Sequence, residues 1–100
     1  MSQFRVYVTP EALAEIKDLP GNVRQRIRQA IKELVRQPHP KQSKQLQFDD
    51  PDHQLFRIRM DTWRIVYAVT ESDCVIDVLA VRKRPPYDYG DLALLLDELE

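Results

Sequence analysis

Four arginines of this 100-residue chain have the type and spacing to act on one anion. Arg57 and Arg59 alternate with Phe56, Ile58 and Met60 in the stretch LFRIRMDTWRIVYAV, and Arg64 follows across a turn. Arg84 ends the run VIDVLAVRKR, and Tyr87 and Tyr89 come directly after it. A guanidinium clamps carboxylate or phosphate through two parallel hydrogen bonds and keeps its proton. It can therefore stabilise an anionic transition state but cannot act as a general base. A phenol can exchange protons where cations depress its pKa from about 10. Cations beside a phenol suit cleavage of RNA by its own 2′-hydroxyl. That reaction needs the 2′ proton removed, charge stabilised on the phosphorane and a proton delivered to the leaving 5′ oxygen.

The other candidates are weaker. His53, in the turn DDPDHQ, is an alternative proton carrier beside Tyr89, because its intrinsic pKa of about 6.5 suits proton transfer. Lys41, Lys44, Arg82 and Lys83 are expected either to contact phosphates or to be solvated surface. His39, between two prolines, reads as loop. The sequence holds no Gly-rich phosphate loop, no Cys/His cluster at metal-ligand spacing and no Ser/His/Asp set. Neither a metal nor a cofactor is expected.

The elements that must carry these residues follow from periodicity. FRVYVT alternates with Phe4, Val6 and Val8 on one side, as a strand does. Thr9, Pro10 and Glu11 are an N-cap, a first-turn proline and a first-turn acid, so EALAEIKDL is a helix. Pro20-Gly21 breaks it. Asn22 is expected to cap a second helix over VRQRIRQAIKELVRQ, with an apolar stripe of Val23, Ile27, Ala30, Ile31, Leu34 and Val35. Pro38-His39-Pro40 stops that helix, and residues 44–47 suggest a short edge strand. LFRIRMDTWRIVYAV then reads as a hairpin. In the next strand Val75, Leu79 and Val81 should share a side with Asp77, against Cys74, Ile76, Val78 and Ala80. That strand is apolar on both faces and so expected to be central. Two prolines stiffen RPPYDY. Asp88 or Asp91 caps a last helix bearing Leu92, Leu95, Leu96 and Leu99. The fold class is α+β: two N-terminal helices on one face of a four- or five-stranded, mostly antiparallel sheet, plus a C-terminal helix. Arg57, Arg59, Arg64 and Arg84 should converge on the face those first helices leave open.

Bulk properties bound the rest. One hundred residues make one domain, residues 1–100. Apolar content of 43% and charged content of 31% describe an ordinary globule. No apolar run approaches a membrane span and no secretion leader is evident, so a cytoplasmic location is expected. The lone Cys74 reads as a small core residue. A formal net charge of −1 hides a segregation, since residues 22–84 hold 13 Lys/Arg against 8 Asp/Glu. Residues 85–100 hold 5 Asp/Glu and no Lys/Arg. The middle suits phosphate binding. The acidic last helix is expected to lie over the basic face and compete with RNA.

Three stretches, TPEALAEIKDLP, the LFRIRMDTWRIVYAV hairpin and VIDVLAVRKR with its following tyrosines, resemble the RelE/ParE superfamily of type II toxins, on the RelE side. They cover most of the chain in the family's order. The resemblance implies a metal-independent endoribonuclease that cuts mRNA in the ribosomal A site. It also implies a cognate small antitoxin as partner, with a monomeric free toxin and a hetero-oligomeric complex. By position, Arg57 and Arg59 fall where RelE-like toxins carry basic residues, often lysines. Arg64 matches the arginine of the family's R-[LI]-V-Y segment, here RIVY, and Arg84 the arginine ending the last strand. Tyr87 or Tyr89 matches the tyrosine shortly after it, because the two prolines alter the spacing. Arginine in place of lysine removes a possible proton carrier. Two alternatives follow: a ParE-like toxin that inhibits gyrase without nuclease chemistry, and a family member that only binds a partner.

Overall fold

The computed structural model describes residues 3–99. Strand β1 (Arg5–Val8) leads into helix α1 (Pro10–Lys17), and helix α2 (Gly21–Glu33) follows. Then come β2 (Ser43–Gln45), β3 (Gln54–Met60), β4 (Trp63–Thr70), a 3-10 turn (Glu71–Asp73), β5 (Val75–Lys83) and helix α3 (Leu92–Asp97). The strands form one sheet in the order β1-β5-β4-β3-β2. Among the described residues only β1 and β5 run parallel, because the helical hairpin returns the chain in the same direction. The α+β class, the five strands and the C-terminal helix agree with the expectation from sequence.

Local chemistry explains most boundaries. The Thr9 side chain accepts a hydrogen bond from Ala12 N at 3.2 Å, and Pro10 occupies the first helical turn. Helix α2 departs from expectation: it begins at Gly21 with Pro20 in the cap position and no side-chain cap, so Asn22 lies inside it. The β3–β4 hairpin pairs Met60 with Trp63, leaving Asp61 and Thr62 as a two-residue turn. Asp61 has φ 55°, as such tight turns require. Its carboxylate accepts from Arg26 Nη1 at 2.8 Å, tying α2 to the turn.

Two apolar layers cover the sheet. On one face Ala12, Ile16, Ile27, Ile31 and Leu34 pack on Ile58, Ile65, Tyr67, Ile76, Val78 and Val81. Tyr67 is fully buried with its hydroxyl donating to Pro38 O at 2.8 Å, while Phe4 and Trp63 are partly buried against this layer. On the other face Leu92, Leu95 and Leu96 of α3 pack on Leu55, Val66, Ala68, Leu79 and Ala80. The face opposite α1 and α2 is therefore not bare, and α3 occupies its apolar half. Burying each of those leucines contributes about 1.5–3 kcal/mol. Glu100, read from sequence as part of the acidic helix end, lies outside the described residues.

Strict alternation along β5 fails at one point. Val66 pairs with Ala80, but the next residue, Tyr67, pairs with Val78, so Leu79 is an extra residue, a β-bulge. The bulge puts Leu79 and Ala80 on the α3 face together and turns Val81 toward α1 and α2. The expected grouping of Val81 with Asp77 is thus corrected. Cys74 is also not core: it is partly exposed, with φ 53°, at the end of the 3-10 turn. Central place in the sheet falls to β4, with β5 one strand out.

Leu95→Ala should lower unfolding free energy by about 2–5 kcal/mol, the usual loss for a buried leucine. An unchanged denaturation midpoint would mean that α3 is undocked in solution.

Candidate active site

The bulge sets the phase of the end of β5 and so builds a cross-strand row. Arg59 on β3 pairs with Arg64 on β4, and Arg64 pairs with Arg82 on β5. Paired residues share a face, so three guanidinium groups stand side by side at the hairpin end of the sheet. Lys44 pairs with Arg57 one step along, on the same face. Like charges directly opposite one another are destabilising unless anions intervene.

The anions are not shared equally. Arg82 takes three carboxylates. Its Nε donates to Glu15 Oε2 at 2.7 Å, its Nη2 to Glu11 Oε1 at 3.3 Å, and its Nη1 to Asp91 Oδ2. β1 pairs with β5 only as far as Val78, so the edge of β5 beyond it is free for α1. There Glu15 Oε1 also accepts the Val81 backbone N–H at 3.0 Å.

Among the described residues the other four candidate arginines get no carboxylate. Arg57 Nη1 donates to Gln42 O at 3.1 Å. Arg64 Nη1 donates to the carbonyls of Asp61 and Trp63, each at 3.0 Å. Arg64 Nε is enclosed without a partner. Among the described residues the side chains of Arg59 and Arg84 make no hydrogen bond or ion pair. Both are exposed. Arg57, Arg59, Arg64 and Arg84 thus keep their positive charge uncompensated, and Arg82 does not.

The two tyrosines divide as clearly. Tyr87 donates from its hydroxyl to Asp91 Oδ1 at 2.7 Å, and the Arg82 guanidinium lies 4.9 Å from its ring centroid. Burial, then the Asp91 carboxylate, push the Tyr87 phenol well above its ordinary value, so it cannot serve as a base near neutral pH. Tyr89 meets the Tyr87 ring edge-on at 5.0 Å, and Arg84 lies over the Tyr89 ring at 5.2 Å. The Tyr89 hydroxyl is enclosed without a partner, and its backbone has φ 62°, a strained value for a non-glycine residue. An unmade hydrogen bond on an enclosed polar group costs about 1–3 kcal/mol.

His53 stands apart. It precedes β3, at the end of the sheet away from the hairpin turn, on the order of 20 Å along the strand from Arg59 and Arg64. Its Nδ1 lies 3.1 Å from Asp50 Oδ1, in an acidic depression that also holds Asp52, Glu71, Asp73 and Asp77. A proton carrier for the arginine row cannot act from there. Lys41, Lys44 and Lys83 are exposed; Lys44 shares the face of the row, whereas Lys83 pairs with Trp63 and so belongs to the opposite face. Sequence reading did not include Glu11, Glu15 and Asp91 in the site. The signal was present in the i, i+4 spacing of the two glutamates on α1. Asp91 was read only as a helix cap.

The sequence over residues 6–85 matches the family described as ParE toxin of type II toxin-antitoxin system, parDE. The chain belongs to this family, within the RelE/ParE superfamily. It is 24% identical over 82 residues to a RelE1 toxin candidate of Methanocaldococcus jannaschii, covering 82% of this chain and 91% of that protein. The fold matches a chain of the archaeal RelE–RelB complex from Pyrococcus horikoshii with a TM-score of 0.74 at 24% identity, covering 84% and 98% of the two chains. It also matches a chain of the intact Escherichia coli RelBE toxin–antitoxin complex with a TM-score of 0.61 at 26% identity, covering 82% and 96%. This protein is thus a RelE/ParE-type toxin of a type II system. Among the described residues no helix is long and apolar enough to cross a membrane.

Burial alone would raise the Asp91 carboxyl, but the Tyr87 hydrogen bond and the Arg82 guanidinium outweigh it and hold it below its ordinary 3.8. A depressed carboxylate contributes stability that is present above the unfolded value and lost as pH falls through the folded one. Wild type should therefore lose more stability than Asp91→Asn between pH 5 and lower values. Thermal melting across that pH range checks this, and parallel curves would contradict it.

Proposed function

We propose that this toxin is an endoribonuclease that cuts mRNA on the translating ribosome and is held inactive by a small cognate antitoxin. The observation that carries the reading is the division of charge: Arg57, Arg59, Arg64 and Arg84 keep no carboxylate partner among the described residues, while Arg82 alone absorbs Glu11, Glu15 and Asp91. Unpaired guanidinium groups gathered at one end of a sheet carry a repulsive cost that an RNA phosphate relieves. The solved neighbours described as RelE–RelB complexes support an antitoxin as partner.

In this reading the 2′-hydroxyl attacks the adjacent phosphorus. A P–O bond to the 2′ oxygen forms, the bond to the 5′ oxygen breaks, and a cyclic phosphate remains. Arg59, Arg64 and Arg84 stabilise the charge on the phosphorane, with Arg57, Lys44, Lys41 and Lys83 holding neighbouring phosphates. Tyr87 cannot take the 2′ proton, because its phenol is held protonated against Asp91. Tyr89, whose hydroxyl has no partner and whose ring lies against Arg84, is the phenol left to deliver a proton to the leaving 5′ oxygen, while the 2′ proton passes to solvent. Binding of RNA would release that hydroxyl from its enclosure.

One observation favours a second reading. The family match is described by its ParE members, and a ParE-like toxin would bind gyrase and perform no nuclease chemistry. In that case the arginine row would serve partner binding or structure.

Cleavage mapping on programmed ribosomes decides between them. Arg64→Ala and Arg84→Ala should each lower the cleavage rate by about 100-fold, as loss of a charge-stabilising donor does, with folding retained. A wild type that cuts nothing while blocking DNA supercoiling would establish the gyrase reading instead.

A further inference from the structure

Asp91 occupies the cap position of α3 and is of a residue type that caps helices, yet its side chain makes no capping hydrogen bond. Both oxygens are engaged elsewhere, Oδ1 by the Tyr87 hydroxyl and Oδ2 by Arg82 Nη1. We propose that Asp91 is a positioning residue for the cleavage site: it fixes Tyr87 against Arg82, Tyr87 fixes Tyr89, and Tyr89 aims the Arg84 guanidinium at the scissile phosphate. The inference rests on the nuclease reading above and assigns that reaction a residue that touches no substrate.

The chain of contacts is continuous. The Arg82 guanidinium is immobilised by Glu11 and Glu15 on α1 as well as by Asp91, and it forms a floor under the Tyr87 ring. The Tyr87 ring and hydroxyl are therefore held from two sides. Its edge contact at 5.0 Å holds Tyr89, whose φ of 62° would relax without support. The Arg84 side chain makes no hydrogen bond among the described residues, so the Tyr89 ring at 5.2 Å is what orients the guanidinium. An exposed arginine held by nothing else loses most of its side-chain freedom when a substrate orders it. A pre-stacked guanidinium loses less, and the difference appears in the transition state rather than in ground-state binding. The surface depression lined by Arg82, Lys83, Tyr87 and Asp91 shows that the assembly borders solvent and is not core.

A structural ion cluster would behave differently, and a two-background experiment separates the cases. Single-turnover and steady-state cleavage of ribosome-bound mRNA would be measured for wild type, Asp91→Asn, Arg84→Ala and the double variant, with thermal melts confirming folding. Positioning predicts that Asp91→Asn lowers kcat about tenfold with KM changed less than about twofold. In the Arg84→Ala background the same substitution should cost about threefold rather than tenfold, because the guanidinium it orients is gone and only its hold on the Tyr89 phenol remains. Equal losses in both backgrounds, or no loss in either, would overturn the positioning role and leave the nuclease reading standing. A wild type that cuts nothing would remove the nuclease reading and this inference with it. Should Asp91→Asn fail to fold, Tyr87→Phe leaves the Arg82 ion pairs in place and is judged by the same two backgrounds and outcomes.

Discussion

Like-charge crowding at the hairpin end of the sheet is the constraint from which the site follows. β3, β4 and β5 each contribute an arginine to one cross-strand row, Arg59–Arg64–Arg82, and adjacent strands lie only about 4.8 Å apart. Such a row persists if part of it is neutralised. The protein neutralises its β5 member, at the edge that β1 leaves uncovered, with two acids from α1 and one from the start of α3. The other members keep their charge and face solvent or backbone carbonyls. The gradient from a compensated arginine to uncompensated ones gives the site its direction. It also explains why a chain of formal net charge −1 can present a strongly positive surface.

The same ion pairs do mechanical work. α1 lies on one face of the sheet and α3 on the other, and apolar packing alone would leave them independent. Arg82 reaches both around the edge of β5. Its guanidinium carries several directional hydrogen bonds at once, which a lysine ammonium would satisfy less rigidly. Half-buried ion pairs of this kind add little net stability, since desolvation offsets much of the attraction. Their contribution is geometric: they fix where α3 begins, and hence where the Tyr87–Tyr89 segment sits relative to Arg84.

Much of this was legible in the sequence. The alternation of Phe56, Ile58 and Met60 with Arg57 and Arg59 gave the hairpin and its faces, and the leucine stripe gave α3. A two-helix crossover is compatible with the first strand returning parallel to a later one, and the structure shows that the partner is β5. What escaped had physical reasons. The bulge at Leu79 leaves no mark in a run that is apolar on both faces, because VIDVLAV looks the same in either phase. Arg82 differs from its neighbours only through Glu11, Glu15 and Asp91, which lie far from it in sequence or are read as caps. Asp91 reads as a cap by residue type, and only the three-dimensional neighbourhood shows its carboxylate turned away. The last helix docks on the face the first two leave open, as expected, but periodicity does not show that its leucines take the apolar half and leave the arginine row uncovered. Cys74 reads as core because it opens the apolar run CVIDVLAV, but it sits just ahead of β5, at the left-handed end of the 3-10 turn.

Both outer strands of the sheet are short: β1 spans Arg5–Val8 and β2 spans Ser43–Gln45. A long, flat border of unpaired backbone groups invites a second copy to extend the sheet, and collective repulsion is the usual deterrent. A nearly neutral molecule lacks that deterrent. Here brevity substitutes for it, since three or four residues offer too few hydrogen bonds to hold a stranger in register. Fibrous or edge-to-edge self-association is thereby discouraged by geometry, and the concentrated charge is left free for recognition.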